Sequence, residues 1–140
     1  MYKKGKTFEE IQIGEKASFT KTITETDVYM FAGISGDFNP LHVDEEYAKT
    51  TQFRTRIAHG GLAASLLANV LGMKLPGLGT VALEVNHKFR SPVYFGDTVT
   101  CTAEVVKKVD RMKTVELELL WTNQRGETVI KGTCKVLPPE

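Results

Sequence analysis

Net charge is the first thing this sequence lacks. Lys and Arg number 18 against 17 Asp and Glu, a formal balance of +1. So even a balance removes the electrostatic basis for general nucleic-acid binding and leaves room only for a local basic patch facing a small anion. Cysteine is scarce: Cys101 and Cys134 are the only two, and neither lies in a CxxC pair. Reduced thiols packed in strands are therefore expected, not a disulfide or a metal cluster. A membrane-length apolar run is missing. Ile57 to Met73 holds no ionisable residue except His59, but it is short for a span and rich in Gly, Ala, Ser and Asn, so it reads as a buried helix. MYKKGKTFEE has no apolar core behind its lysines and reads as a solvated tail, not a signal peptide. Repeats, low-complexity tracts and linkers are absent too. These absences leave one soluble, cytoplasmic domain spanning residues 1–140, with no nucleic acid or membrane among its partners.

What is present divides by periodicity. KASFTKTIT from Lys16 alternates loosely and reads as a strand. Thr24 or Thr26 can cap a short helix ending near Gly33, and Asp44 can cap a second, DEEYAKT, with acids in its first turn. Gly60 to Leu75 is apolar nearly all round, which predicts one enclosed helix stopped by Pro76-Gly77. After it the period becomes two. TVALEVNHKF, TVTCTAEV, TVELELLW and ETVIKGTCKV each place alternate apolar residues on one face, with turn residues between them. Consecutive strands with short turns imply an antiparallel meander. A buried helix followed by a long antiparallel sheet is an α+β plan, and the simplest packing wraps the sheet around the helix, the hot-dog arrangement. Such a sheet has open edges, which a homodimer would pair.

The chemistry concentrates in SGDFNPLH, Ser35 to His42. On composition alone this is a turn: Gly, Asp, Asn and Pro are turn formers, Asp37 can accept backbone N–H bonds within its own loop, and His42 can sit on the surface. The alternative is a proton-transfer pair, Asp37 and His42, held near one substrate atom or one shared water by a stiff link between two short helices. Pro40 fixes one φ, Gly36 permits close backbone approach, and Asn39 can orient either partner. IAHGGL, Ile57 to Leu62, supports the second reading. It opens the buried helix, whose first N–H groups are unpaired, and an N–H at Gly60 meets a developing oxyanion with no Cβ in the way. Close helix packing explains Gly60 equally well. His59 reads as a cap or packing residue. Ser65 either bonds back to the carbonyl of Gly61 or lines a substrate channel.

FAGISGDFNPLHVDEEYA closely resembles the signature of the MaoC-like, (R)-specific enoyl-CoA hydratase/dehydratase family, with its core at Ser35-Gly36-Asp37, Asn39-Pro40-Leu41-His42 and Ala48. IAHGGLAAS and FRSPVYFGD are similar to two further segments of that family, so the likeness runs along nearly the whole chain. The resemblance implies a hot-dog dimer that adds water across a trans-2-enoyl thioester to give the (R)-3-hydroxyacyl product, or the reverse, in fatty acid metabolism. It implies Asp37 and His42 as the catalytic dyad, Asn39 as a positioning residue, the Gly60 N–H on the thioester oxygen, and Ser65 in the pocket. One departure is Gly61, where many members carry a bulkier apolar residue such as Met, which bears on pocket shape. No cofactor and no metal are required. The substrate would be carried on CoA or on an acyl carrier protein. Arg54, Arg56, Lys74, Lys88 and Arg90 are candidate cations for the carrier, or else surface charges. Three rivals remain: a two-His-one-carboxylate metal site of Asp37, His42 and His59, a hot-dog thioesterase, and a non-catalytic acyl-thioester binding module.

Overall fold

The computed structural model describes residues 1–140. The chain runs β1 (Lys16–Thr22), α1 (Glu25–Ser35), α2 (Pro40–Val43), α3 (Glu45–Ala48), α4 (Gly60–Ala64), α5 (Leu67–Asn69), a π-helical turn (Val70–Lys74), then β2 (Val81–Phe89), β3 (Thr98–Val109), β4 (Thr114–Thr122) and β5 (Thr128–Leu137). No helix is long and apolar enough to cross a membrane.

Local chemistry sets the helices that flank the SGDFNPLH stretch. Thr24 and Asp27 form a reciprocal capping box: the Asp27 N–H donates to Thr24 Oγ1 at 3.1 Å and the Thr24 N–H to Asp27 Oδ2 at 2.9 Å. Helix α1 therefore starts where the sequence predicts, but it runs past Gly33 to Ser35. It closes at Gly36, whose φ of 78° is left-handed and whose N–H returns to Ala32 O. His42 lies not in a bare loop but on its own short helix, capped by Asn39 and begun by Pro40, which has no N–H to lose there. Asp44 Oδ1 accepts from Glu46 and Tyr47 N–H and starts α3 as expected.

The expected single helix from Gly60 to Leu75 is broken into α4, α5 and the π turn. Its carbonyls have other claimants. Ser65 Oγ donates to Leu62 O at 2.6 Å, and the buried Trp121 Nε1–H donates to Ala63 O at 3.0 Å. Around them the backbone tightens: Leu66 N–H bonds Ala63 O and Ala68 N–H bonds Ser65 O, each three residues back. The rod is also not enclosed on every side in the single chain, since Gly61, Ser65 and Ala68 are exposed.

The five strands are antiparallel in the order β1-β3-β4-β5-β2. The meander expectation holds for β3, β4 and β5 only. Strand β2 pairs with β5 and not with β3. The segment from Arg90 to Asp97 is too long for a hairpin turn, and Pro92 cannot donate to a ladder. It crosses one end of the sheet instead, bridging Tyr94 to Ile57 and bonding Gly96 and Asp97 to Ile23, so that β3 emerges beside β1. The inner face buries Val99, Val105, Val115, Leu117, Leu119 and Trp121 against Leu62, Ala63, Leu66, Leu67 and Val70. Each fully buried Leu or Val there is worth about 1.5–3 kcal/mol. Cys101 and Cys134 are free and buried in β3 and β5, as the sequence suggests. Strand β2 differs from the rest: it lies at a sheet edge, and Val81, Leu83, Val85 and Phe89 are exposed along it.

Candidate active site

Helices α1, α2 and α4 meet at the site. Gly36 turns the chain, so Asp37 follows directly on the end of α1. Its N–H donates to Ser35 Oγ at 3.1 Å, and its Oδ1 accepts the Asn39 N–H at 3.1 Å. One carboxylate oxygen is thereby tied into the turn and the other, Oδ2, is left over. His42 is buried, and its Nδ1 lies 2.7 Å from Ile57 O. A carbonyl can only accept, so Nδ1 carries a proton, and in the neutral ring Nε2 presents a lone pair. That Nε2 faces Asp37 Oδ2 at 3.8 Å, with the His42 side chain 10% exposed and that of Asp37 49% exposed. The two groups the sequence pairs are thus brought together, at a separation too long for a direct hydrogen bond and suited to one bridging water.

The segment Ile57 to Gly60 organises the other side. Its backbone is fixed by Ile57 N–H to Leu41 O and Ala58 N–H to Val93 O. Ile57 O holds His42, and His59 Nε2 lies 2.9 Å from Asp37 O. His59 does not cap α4 through its side chain; its ring stacks on His42 with centroids 3.9 Å apart and planes 28° apart. The amides of Gly60 and Gly61 have no hydrogen-bond partner and open toward the helix N-terminus. A cleft of ≈ 390 Å³ borders Gly60 together with Phe53, Ile57, Phe89, Pro92 and Val93; neither Asp37 nor His42 lines it. A larger depression of ≈ 830 Å³ lies on the outer face of the sheet, away from the pair, among Lys16, Lys88, Lys131 and Glu118.

The remaining candidates fall out unevenly. Asn39 acts through its backbone on Asp37, while its side-chain oxygen accepts the Leu41 N–H and caps α2. Ser65 bonds back to Leu62 O, one residue from the expected carbonyl, and lines neither cleft. Gly61 leaves room that Phe31 occupies: a Cβ there would lie 3.1 Å from Phe31 Cζ. Arg56 is committed inward. It bonds Tyr29, pairs with Glu25 at 2.7 Å and Glu45 at 3.4 Å, and packs over the Phe95 ring. The hydrogen-bonded Glu25 carboxylate holds its guanidinium above the ordinary arginine range. Lys74 Nζ donates to Ser18 O. Arg54, Lys88 and Arg90 have no acidic partner, and Arg90 borders both depressions.

Asp37, His42 and His59 have nitrogen and oxygen atoms within 4.8 Å of one another, the composition of the rival metal site. The stacking argues against it. In-plane lone pairs of two nearly parallel rings do not converge on a point about 2 Å from both nitrogens. His59 Nε2 is moreover engaged with Asp37 O. The carbonyl of Ile57 and the role of His59 toward Asp37 are not visible in the sequence, because both depend on where the Ile57–Gly60 segment passes the turn.

Residues 8–124 match the family described as MaoC like domain. Over 132 residues the chain is 48% identical to an (R)-specific enoyl-CoA hydratase of Rhodospirillum rubrum, covering 94% of this chain and 91% of that protein. Over 133 residues it is 38% identical to a 3-hydroxybutyryl-CoA dehydratase of Methylorubrum extorquens, covering 95% and 84%. Among solved structures, R-hydratase PhaJ1 from Pseudomonas aeruginosa in the unliganded form superposes with a TM-score of 0.92 at 38% identity, over 97% of this chain and 87% of that one.

Proposed function

The chain belongs to the MaoC-like domain family, and from that premise we propose that it is an (R)-specific enoyl-CoA hydratase, run also in reverse as a 3-hydroxyacyl-CoA dehydratase. The observation that carries the reading is the 3.8 Å gap between Asp37 Oδ2 and an acceptor nitrogen of His42. A water in that gap donates one proton to each group and turns a lone pair toward C3 of a bound trans-2-enoyl thioester. As oxygen adds to C3, the proton leaving the water passes to the pair, and the pair returns one to C2. Asp37 is the acceptor and His42 aligns the water. With its Nδ1–H committed to Ile57, His42 can deliver to C2 only the proton that Asp37 takes from the water, passed on to its Nε2, so the two residues work as a unit.

Negative charge meanwhile gathers on the thioester oxygen. The unpartnered Gly60 N–H at the start of α4 would receive it, a donor of the kind worth about 2.7–4 kcal/mol in other enzymes. Asn39 holds the carboxylate through its N–H. Ser65, one turn beyond the exposed Gly61 on the same face of the rod, would line the acyl path. No step calls for a cofactor. CoA is the favoured carrier, since the Rhodospirillum rubrum and Methylorubrum extorquens relatives bear CoA in their names. The functional unit is a cytoplasmic homodimer of this one domain. A second copy pairing at the exposed apolar edge of β2 would cover surface that the isolated chain leaves open, including the Gly60 cleft beside Phe89.

Crotonyl-CoA supplies the test. Hydration removes the conjugated enoyl absorbance, releases no thiol and gives the (R)-3-hydroxybutyryl product. Thiol release without loss of the double bond would replace the proposal with a thioesterase, and binding without turnover would replace it with a binding module.

A further inference from the structure

We propose that His59 is the positioning residue of the Asp37–His42 pair, fixing the Asp37 peptide by one hydrogen bond and the plane of the His42 ring by stacking. The inference rests on the hydratase reading above and adds to it a residue that touches neither the water nor the substrate.

His59 is 3% exposed and its ring has two aromatic neighbours. His42 stacks on it with centroids 3.9 Å apart, and Phe31 lies tilted to it at 5.0 Å. Its Nε2–H donates to Asp37 O at 2.9 Å. The residue stands at the N-cap position of α4, where a side chain ordinarily satisfies a helix amide, yet it makes no such bond. The ring is turned toward the Asp37 turn instead. One side chain therefore joins three parts of the site: the carbonyl behind the carboxylate, the face of the base, and the backbone immediately before Gly60.

The choice of imidazole carries a cost that explains itself only through both contacts. With Nε2 protonated, Nδ1 is an acceptor, and it is buried with no partner. A phenyl ring would stack on His42 and leave no orphan, but could not donate to Asp37. A glutamine would donate but could not stack. An imidazole does both and retains one unpaired lone pair. The gap between Asp37 and His42 is set by four hydrogen bonds and one stack, and a shift of about 1 Å in such a gap lowers turnover by about 10²-fold.

His59→Phe and His59→Gln, assayed on crotonyl-CoA with the wild type, test the role. Phe keeps the stack and loses the donor; kcat is expected to fall about 10²-fold with KM held within about threefold. Gln restores the donor, and its kcat is expected about tenfold above that of the Phe variant. A Phe variant with unchanged kcat, a loss expressed in KM alone, or a Gln variant no better than Phe overturns the role. Nitrogen-15 NMR of the wild type reads the His59 tautomer without any variant: Nε2–H supports the bond to Asp37, and Nδ1–H overturns it even if neither variant folds. A wild type that hydrates no enoyl thioester overturns the hydratase reading. A wild type that turns over while His59 shows Nδ1–H overturns the positioning role alone.

Discussion

Asp37→Asn separates the carboxylate's chemistry from its place in the turn. The substitution is isosteric, and the oxygen that accepts the Asn39 N–H at 3.1 Å is retained as the amide carbonyl. The other oxygen becomes an NH₂ facing the lone pair of His42 Nε2, now 3.8 Å away, so the new group meets an acceptor and not a like dipole. With the side chain 49% exposed, folding stability should change by less than about 1 kcal/mol. Turnover should not be spared. A general base contributes typically 10²–10⁴-fold, so kcat for crotonyl-CoA should fall by that factor, about 3–5 kcal/mol in barrier, with KM little moved. The assay pairs loss of enoyl absorbance with a thermal melt of the same preparation. A variant that melts with the wild type and keeps kcat within about threefold would refute the assignment of Asp37, and with it the account of the gap as a water site.

Further outcomes are expected. His42→Ala should lower kcat by at least about 10²-fold and cost about 1–3 kcal/mol of stability, because the buried Ile57 carbonyl loses its donor; a melt and a rate on one sample measure both. Gly61→Met drives a side chain at the Phe31 ring 3.1 Å from where the Cβ falls, and should destabilise by about 1–3 kcal/mol. The double variant Phe31→Ala/Gly61→Met should recover part of that loss, a non-additivity visible in denaturant midpoints. Thr24→Ala removes one half of the capping box on α1 and should cost about 1 kcal/mol by the same measurement. Burial pushes the Cys101 and Cys134 thiols up to about 12. Both should resist a thiol reagent in the folded protein at pH 8 and react on unfolding. Since the unfolded thiols ionise near their ordinary value of about 8.5 and the folded ones do not, stability is unaffected below that pH and should decline as pH rises from there toward about 12.

Much of this was legible without coordinates, and the parts that were share a cause. Asp44 as a cap and Thr24 as one of two candidate caps are decided within a few residues by hydrogen bonds to the local backbone, and the strands by their period of two. The pairing of Asp37 with His42 was one of two readings the residues left open, favoured by the family resemblance; the short helix that Asn39 and Pro40 build to carry His42 was not part of it. The continuous central helix was misread because its competitors are distant. Trp121, from β4, draws on Ala63 O, and no pattern within Gly60–Leu75 announces that. The place of β2 was misread because strand order depends on where the Arg90–Asp97 crossing goes, and that is settled by its contacts with Ile23 and Ile57.

The sequence by itself determined the α+β class, the segments that become strands, the apolar rod, and the acid and imidazole chosen for one turn. Only the tertiary structure decided which nitrogen of His42 is free, that His59 faces Asp37 and not its own helix, and that Arg56 is spent on Glu25 and Glu45. The physical reason is one of range. Side-chain periodicity and capping act over a turn or two of chain, whereas a tautomer is set by whichever carbonyl the fold carries alongside, here that of Ile57, brought to His42 from another part of the chain by packing.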